Sequence, residues 1–210
     1  MAAALALSLA PGLFASSGSA EAREEVTITQ DVSDFDSIRL SGRFSGTVVV
    51  GDKESLAMTG KEGLEDRVIA EVRGNELRIR LKGNHRHPEK IIVAIEAKHL
   101  EKFIIEGAGK FQISNVDAED FDIKLPGAAS ITVDGKCGEL GIAIAGAATV
   151  NAENLICQHG RVRISGTGTI SLHASVSIDA RVSGLGKIEV YGNPEEIDQR
   201  VSGLGRIKLK

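Results

Sequence analysis

The stretch Arg181–Gly186, RVSGLG, is spelled again at Arg200–Gly205, nineteen positions later. Working outward, a looser pattern of Gly-x-small-x-apolar recurs as GAGKF at Gly107, GAASI at Gly127, GAATV at Gly146, GTGTI at Gly166, GLGKI at Gly184 and GLGRI at Gly203, with gaps of 20, 19, 20, 18 and 19. The flanks keep step. Two residues before each glycine stand Ile105, Leu125, Ile144, Ile164, Val182 and Val201; four before stand Phe103, Ile123, Ile142, Val162, Ala180 and Gln199. Four after stand Phe111, Ile131, Val150, Ile170, Ile188 and Ile207; six after stand Ile113, Val133, Ala152, Leu172, Val190 and Leu209. Apolar and polar residues alternate on both sides, so each unit reads as strand, glycine corner, strand.

A unit this short cannot bury its apolar side alone, but stacked units can, each laying its Ile and Val on the next. About 19 residues leave no room for a helix in each repeat. The spacing predicts an all-β chain folded as a single-stranded parallel β-helix, one coil per repeat, rising ~4.8 Å each time. In that register Ile131 pairs with Val150, and Val150 with Ile170. The corner glycines Gly107, Gly127, Gly146, Gly166, Gly184 and Gly203 are expected where the chain turns sharply, often at positive φ, and where stacked corners leave little space for side chains. Hairpins meandering into a β-sandwich are the competing architecture. Phosphate cradling by Gly-x-Gly needs a strand–loop–helix context, and here another strand follows every time. Calcium β-roll repeats require an Asp that none of the six copies carries.

Composition agrees. Apolar residues are 42% of the 210, too many for a disordered chain, and 24 glycines suit a protein rich in tight turns. The net charge of −4 is spread along the chain, and aromatics are only 3%, so no basic stripe with stacking platforms points to nucleic acid. Residues 1–22 are apolar, then small and polar, ending Ala20-Glu21-Ala22, and read as a secretory signal peptide whose start lacks the usual basic residues. An exported protein follows, in the periplasm, at the outer surface or secreted. No later segment reaches the ~20 apolar residues of a transmembrane helix. Residues 23–102 hold strand-like segments (EVTITQ, FDSIRLSG, GTVVVG, SLAMTG, NELRIRLKG, KIIVAIEA), with one helical turn in GKEGLEDRVIAEV. They are expected as irregular coils and a cap, one domain with the regular coils of 103–210. Arg206, Lys208 and Lys210 charge the last strand against edge-to-edge pairing.

The run FDSIRLSGRFSGTVVV at Phe35–Val50, the serial corners from Gly107 to Gly203, and YGNP at Tyr191–Pro194 together resemble the bacterial auto-transporter adhesin, head GIN domain family, over roughly residues 27–210. Ala129 and Ala148 depart from the usual second glycine. The resemblance implies a right-handed parallel β-helix, pectate-lyase-like, in an exported or surface protein, and it supplies no catalytic residue.

Candidate chemistry is sparse. Cys137 and Cys157 each lie nine residues before a corner glycine, so they should stack in adjacent coils. Export allows a disulfide; the alternative is two small core residues, since Ala118 and Ser175 hold that station elsewhere. His85 and His87 could share a metal, yet no set of ligands completes the site, and a solvated loop is the simpler reading. His99, His159 and His173 stand alone. The run NVDAEDFD, with Asp117, Glu119, Asp120 and Asp122, could attract calcium or form a solvated outer loop. No cofactor or metal site is expected. The leading function is a non-enzymatic, adhesin-like binding or structural module whose partner is a glycan or a surface or matrix protein. The alternative is a polysaccharide lyase or hydrolase on the same scaffold, which would need Asp117, Asp120 or Asp122 to converge with a basic residue.

Overall fold

The computed structural model describes residues 25–83 and 91–210. It is a β-solenoid. Four long, bent strands form its regular part: β9 (Ala108–Leu125), β10 (Ala128–Ile144), β11 (Ala147–Ile164) and β12 (Thr167–Val182). Each is parallel to the next, and each goes once around the coil between two glycine corners. The final coil is split among β13 (Leu185–Tyr191), β14 (Glu196–Val201) and β15 (Leu204–Leu209); β13 and β14 continue the two arms of β12, and β15 pairs with β13.

Register makes the inner columns continuous. Phe111, Ile131, Val150, Ile170, Ile188 and Ile207 stack in one line. Ile131 pairs with Val150 and Val150 with Ile170, in parallel, and the antiparallel hairpins of a sandwich do not occur at these corners. Residues of these columns are fully buried through the middle coils. Each buried Ile or Val contributes about 1.5–3 kcal/mol, so the stacked columns are the main source of stability.

The glycine corners are crowded rather than left-handed. None of the six is among the positive-φ residues, so the expected conformational reason does not hold at these positions. Steric closeness does. A Cβ on Gly146 would stand 1.9 Å from the carbonyl oxygen of Gly127, and that oxygen accepts the Ala147 N–H at 3.0 Å. The hydrogen bond that joins successive corners thus aims a carbonyl at the space a side chain would fill. The same contact recurs from Gly107 to Gly203, at 1.7 to 2.2 Å. Ala129 and Ala148, at the next inward position, are buried with their methyl groups accommodated.

The N-terminal strands continue the stack before they close it. β2 (Ser37–Ser41) and β3 (Phe44–Val50) form a coil parallel to β8 (Lys102–Ile105) and β9, with Gly42 as its corner. The chain then extends each arm outward. On one arm β7 (Ile91–Ala97) pairs with β3, β4 (Ser55–Lys61) with β7, and β1 (Glu25–Gln30) with β4; the last two pairings are antiparallel. On the other arm β6 (Glu76–Leu81) lies parallel to β2, and β5 (Val68–Arg73) antiparallel to β6. The short helix α1 (Leu64–Arg67), entered through Gly63 at φ 77°, contacts β1, β4 and β5 and buries Leu64 completely between the arms. Phe44, Phe103, Phe111 and Phe121 fill the adjacent coils, Phe103 and Phe111 meeting edge to face at 5.3 Å.

Candidate binding surface

Alternation that sends Ile123, Ile142, Val162 and Ala180 inward must send their neighbours outward. On the arm that precedes each corner, register aligns Asp122, Gly141, Arg161, Asp179 and Asp198 in one outer row, and Lys124, Ala143, Arg163, Arg181 and Arg200 in the next. Opposite charges meet along this face: Lys124 with Asp122 at 3.5 Å, Arg161 with Glu139 at 2.8 Å, Arg163 with Asp179 at 3.6 Å, and Arg181 with Asp179 at 2.8 Å. Pairs this exposed contribute at most about 1 kcal/mol each. What they establish is a long surface of ordered charge.

The face is interrupted once. Gly141 and Ala143 bring almost no side chain, and a recess of about 220 Å³ opens between Asp122 and Lys124 on one side and Arg161 and Arg163 on the other. Three cationic heads line it, each also paired with a carboxylate, Lys124 with Asp122, Arg161 with Glu139 and Arg163 with Asp179. Guanidinium forks match the geometry of carboxylate, sulfate or phosphate, so the recess suits an anionic group. A shallower groove of about 620 Å³ beside the corners on the other arm is lined by small residues such as Thr149, Thr167 and Thr169, with Lys187 its only charge.

The residues singled out in the sequence are dispersed over this scaffold. Cys137 and Cys157 are register partners on β10 and β11, with Cα atoms 4.6 Å apart and the two sulfurs joined. Ala118 shares their station, but Ala174 rather than Ser175 does so in β12, because β12 carries one more residue than β11 between this station and the next pair, His159 with Ser177. Asp117 is exposed and paired with Lys136 at 3.1 Å, while Asp120 and Asp122 lie beyond the bend, on either side of buried Phe121. The acidic run is therefore divided between two sides of the coil. His85 and His87, like the signal-peptide segment, lie outside the described residues. His99 is exposed, and His159 Nδ1 lies 2.8 Å from Ser177 Oγ. His173 is half-buried, and its Nδ1 is buried without a hydrogen-bond partner.

One cluster had no sequence signal. Arg39 on β2 bridges Glu76 on β6, at 3.0 Å, and Glu106 before the first regular corner, while Arg78 also reaches Glu76 and Ser41 reaches Glu106. The Arg39 hydrogen bond, opposed by burial and aided by Arg78, holds the Glu76 carboxyl below its ordinary range. The Ser41 hydrogen bond, opposed by burial and aided by Arg39, does the same for Glu106. These residues are up to 67 positions apart in sequence, and only the return of the chain to the same arm brings them together.

A family model described as "Putative auto-transporter adhesin, head GIN domain" matches residues 34–194. The chain belongs to this family. Solved structures share the fold. A "putative adhesin" from Bacteroides fragilis NCTC 9343 has a TM-score of 0.72 at 22% identity, covering 90% of this chain and 98% of its own. A "putative adhesin" from Parabacteroides merdae ATCC 43184 gives 0.53 at 16% identity, covering 89% and 96%. A "putative lipid binding protein" from Parabacteroides distasonis ATCC 8503 gives 0.51 at 20% identity, with the same coverage of 89% and 96%. No curated protein matches the chain.

Proposed function

We propose that this adhesin-like chain is exported and acts, without catalysis, as a rigid binding module at the cell surface. Membership of the adhesin head family over residues 34–194 carries the reading, and the apolar start with its Ala20-Glu21-Ala22 site supports export. The ligand is an acidic glycan or an acidic stretch of a surface or matrix protein, held by Lys124, Arg161 and Arg163 around the recess and by weaker contacts along the charged rows. Such a face suits an extended polymer, because many modest charge contacts add when the ligand spans several coils.

A glycan and matrix-protein array, run beside a polysaccharide-degradation screen with and without calcium, tests this. Binding to acidic ligands should weaken as salt rises and fall at least about tenfold in the triple variant Lys124→Ser, Arg161→Ser, Arg163→Ser. Undiminished binding by that variant would place the ligand elsewhere. Polymer turnover lost on Asp122→Asn would overturn the non-catalytic reading. For export, N-terminal sequencing of the protein from its native cell should find residues up to Ala20 or Ala22 removed; an intact Met1 in the cytoplasm would contradict it.

A further inference from the structure

The two ends of the solenoid are finished differently. At the N-terminal end antiparallel strands extend both arms, and Leu64 of α1 is fully buried between them. At the other end, β14 pairs only with β12 and β15 only with β13, so both strands of the last coil present a free backbone edge among the described residues. Their inward side chains are uncovered: Ile197 is 45% exposed, Val201 47% and Leu209 43%, although the residues stacked beneath them, Ile178, Val182 and Val190, are buried. A cross-section apolar except for Gln199, which stands between Ile197 and Val201, and rimmed by two unpaired strands is a template for strand addition.

The charges on the two free edges differ in sign. Outward from β15 point Arg206 and Lys208, followed by Lys210; outward from β14 point Glu196, Asp198 and Arg200. Among the described residues Glu196, Arg206 and Lys208 have no ion-pair partner, and Asp198 has only Arg181 and Arg200 at 3.7 and 3.5 Å. Pairing β15 with β15 of another copy would set base against base. Pairing β15 with β14 sets base against acid.

We propose that this end binds a second copy of the chain, end to end, about a two-fold axis through the Ser202–Gly203 corner. β15 and β14 flank that corner, so a rotation about an axis through it exchanges the two arms and lays β15 of each copy antiparallel to β14 of the other. The contact is isologous and closed, as a two-fold interface requires. Keeping apolar side chains inward restricts the register to steps of two. The register that faces Ile197 with Ile207 of the second copy also faces Asp198 with its Arg206 and Glu196 with its Lys208. The two cores then become one, and four free edges vanish. The like charges that protect β15 from itself therefore also select its partner strand.

Sedimentation velocity over a dilution series of the chain tests the proposal, using outward positions whose substitution leaves the core untouched. The unaltered chain should dimerise reversibly, and more weakly as salt rises. Glu196→Lys with Asp198→Lys, or Arg206→Glu with Lys208→Glu, should each weaken dimerisation at least about tenfold. The four substitutions combined should restore it, since each reversed strand then meets a reversed partner. A chain that stays monomeric, as it would if its own residues 1–24 or another protein covered the end, overturns the proposal. So does a dimer indifferent to these charges, or one the combined variant fails to restore. Neither result bears on ligand binding at the recess, which the array measures independently.

Discussion

Gly146 is glycine because a neighbouring backbone oxygen occupies the place of its side chain. Changing it to Ala forces a methyl to within 1.9 Å of the Gly127 oxygen, or else breaks the bond from Ala147 that positions that oxygen. The cost should be about 3 kcal/mol, the upper range for overpacking, because backbone rather than a flexible side chain must yield. Thermal denaturation should show this loss for Gly146→Ala and almost none for Ala147→Ser one residue on, where the side chain is exposed. Cys137 and Cys157 permit a second prediction at this scale. They close a loop of sequence separation 20, for which the chain-entropy account gives about 3 kcal/mol. Thiol counting on the unfolded, unreduced protein should find no free thiol, and reduction should lower the melting temperature. Two free thiols would mean that the stacked pair serves only as packing.

Among the elements, β2 and β3 show where the pattern in sequence stops being readable. Gly42 begins the ladder of corners, since its carbonyl oxygen accepts the Ala108 N–H at 2.8 Å and stands 1.7 Å from a Cβ placed on Gly107. Ile38 and Leu40 occupy the two apolar stations before it, as in every later coil but the last, where Gln199 takes the first of them. The station four residues after it is Gly46 rather than Ile or Val, because the carbonyl of Val93 on β7 passes 1.7 Å from where its Cβ would be. That close approach is set by β7, whose sequence lies far away, so the repeat breaks at Gly46 for a reason no local window contains. The Arg39–Glu76–Glu106 bridge then fastens β2 to β6 and to the first regular corner. Glu76 binds its proton more weakly in the folded chain than in the unfolded one. Its contribution is therefore fully present above the ordinary carboxylate pKa of about 4.3 and is lost as pH falls through the lower, folded value. Arg39→Met should cost about 1 kcal/mol at neutral pH, since Arg39 is partly solvated. It should also flatten the decline in melting temperature between about pH 5 and pH 3. An unchanged acid slope would show that other carboxylates set it.

For the whole molecule, stability is a sum over coils, each held mainly by its two neighbours. β10 and β11 have a coil on either side, whereas β14 and β15 have one and leave Ile197, Val201 and Leu209 in water. Hydrogen exchange, measured at a dilution where the chain is monomeric, should therefore show protection falling from β10 and β11 to near the solvent rate at β14 and β15. Uniform protection across all coils would mean that the solenoid opens only as one cooperative unit. The same gradient favours placing the recess at Gly141 and Ala143, in the best-supported coils, where Arg161 and Arg163 stand on rigid strands.

The sequence by itself determined the solenoid, because coil stacking demands the same residue types at every turn and so writes its period into the chain. It determined the inner columns, the corners and the adjacency of the two cysteines, all of which follow from counting positions around one coil. Tertiary structure alone decided the rest. Of the two reasons expected for the corner glycines, crowding by the neighbouring coil holds and positive φ does not, a choice the repeat does not make. The recess exists because Gly141 and Ala143 come into register with Asp122, Lys124, Arg161 and Arg163 of two other coils. The acidic run, contiguous in sequence, is split by the bend in β9. The corners and the recess depend on what lies one coil above or below, about 4.8 Å away in space but some nineteen residues away in the chain.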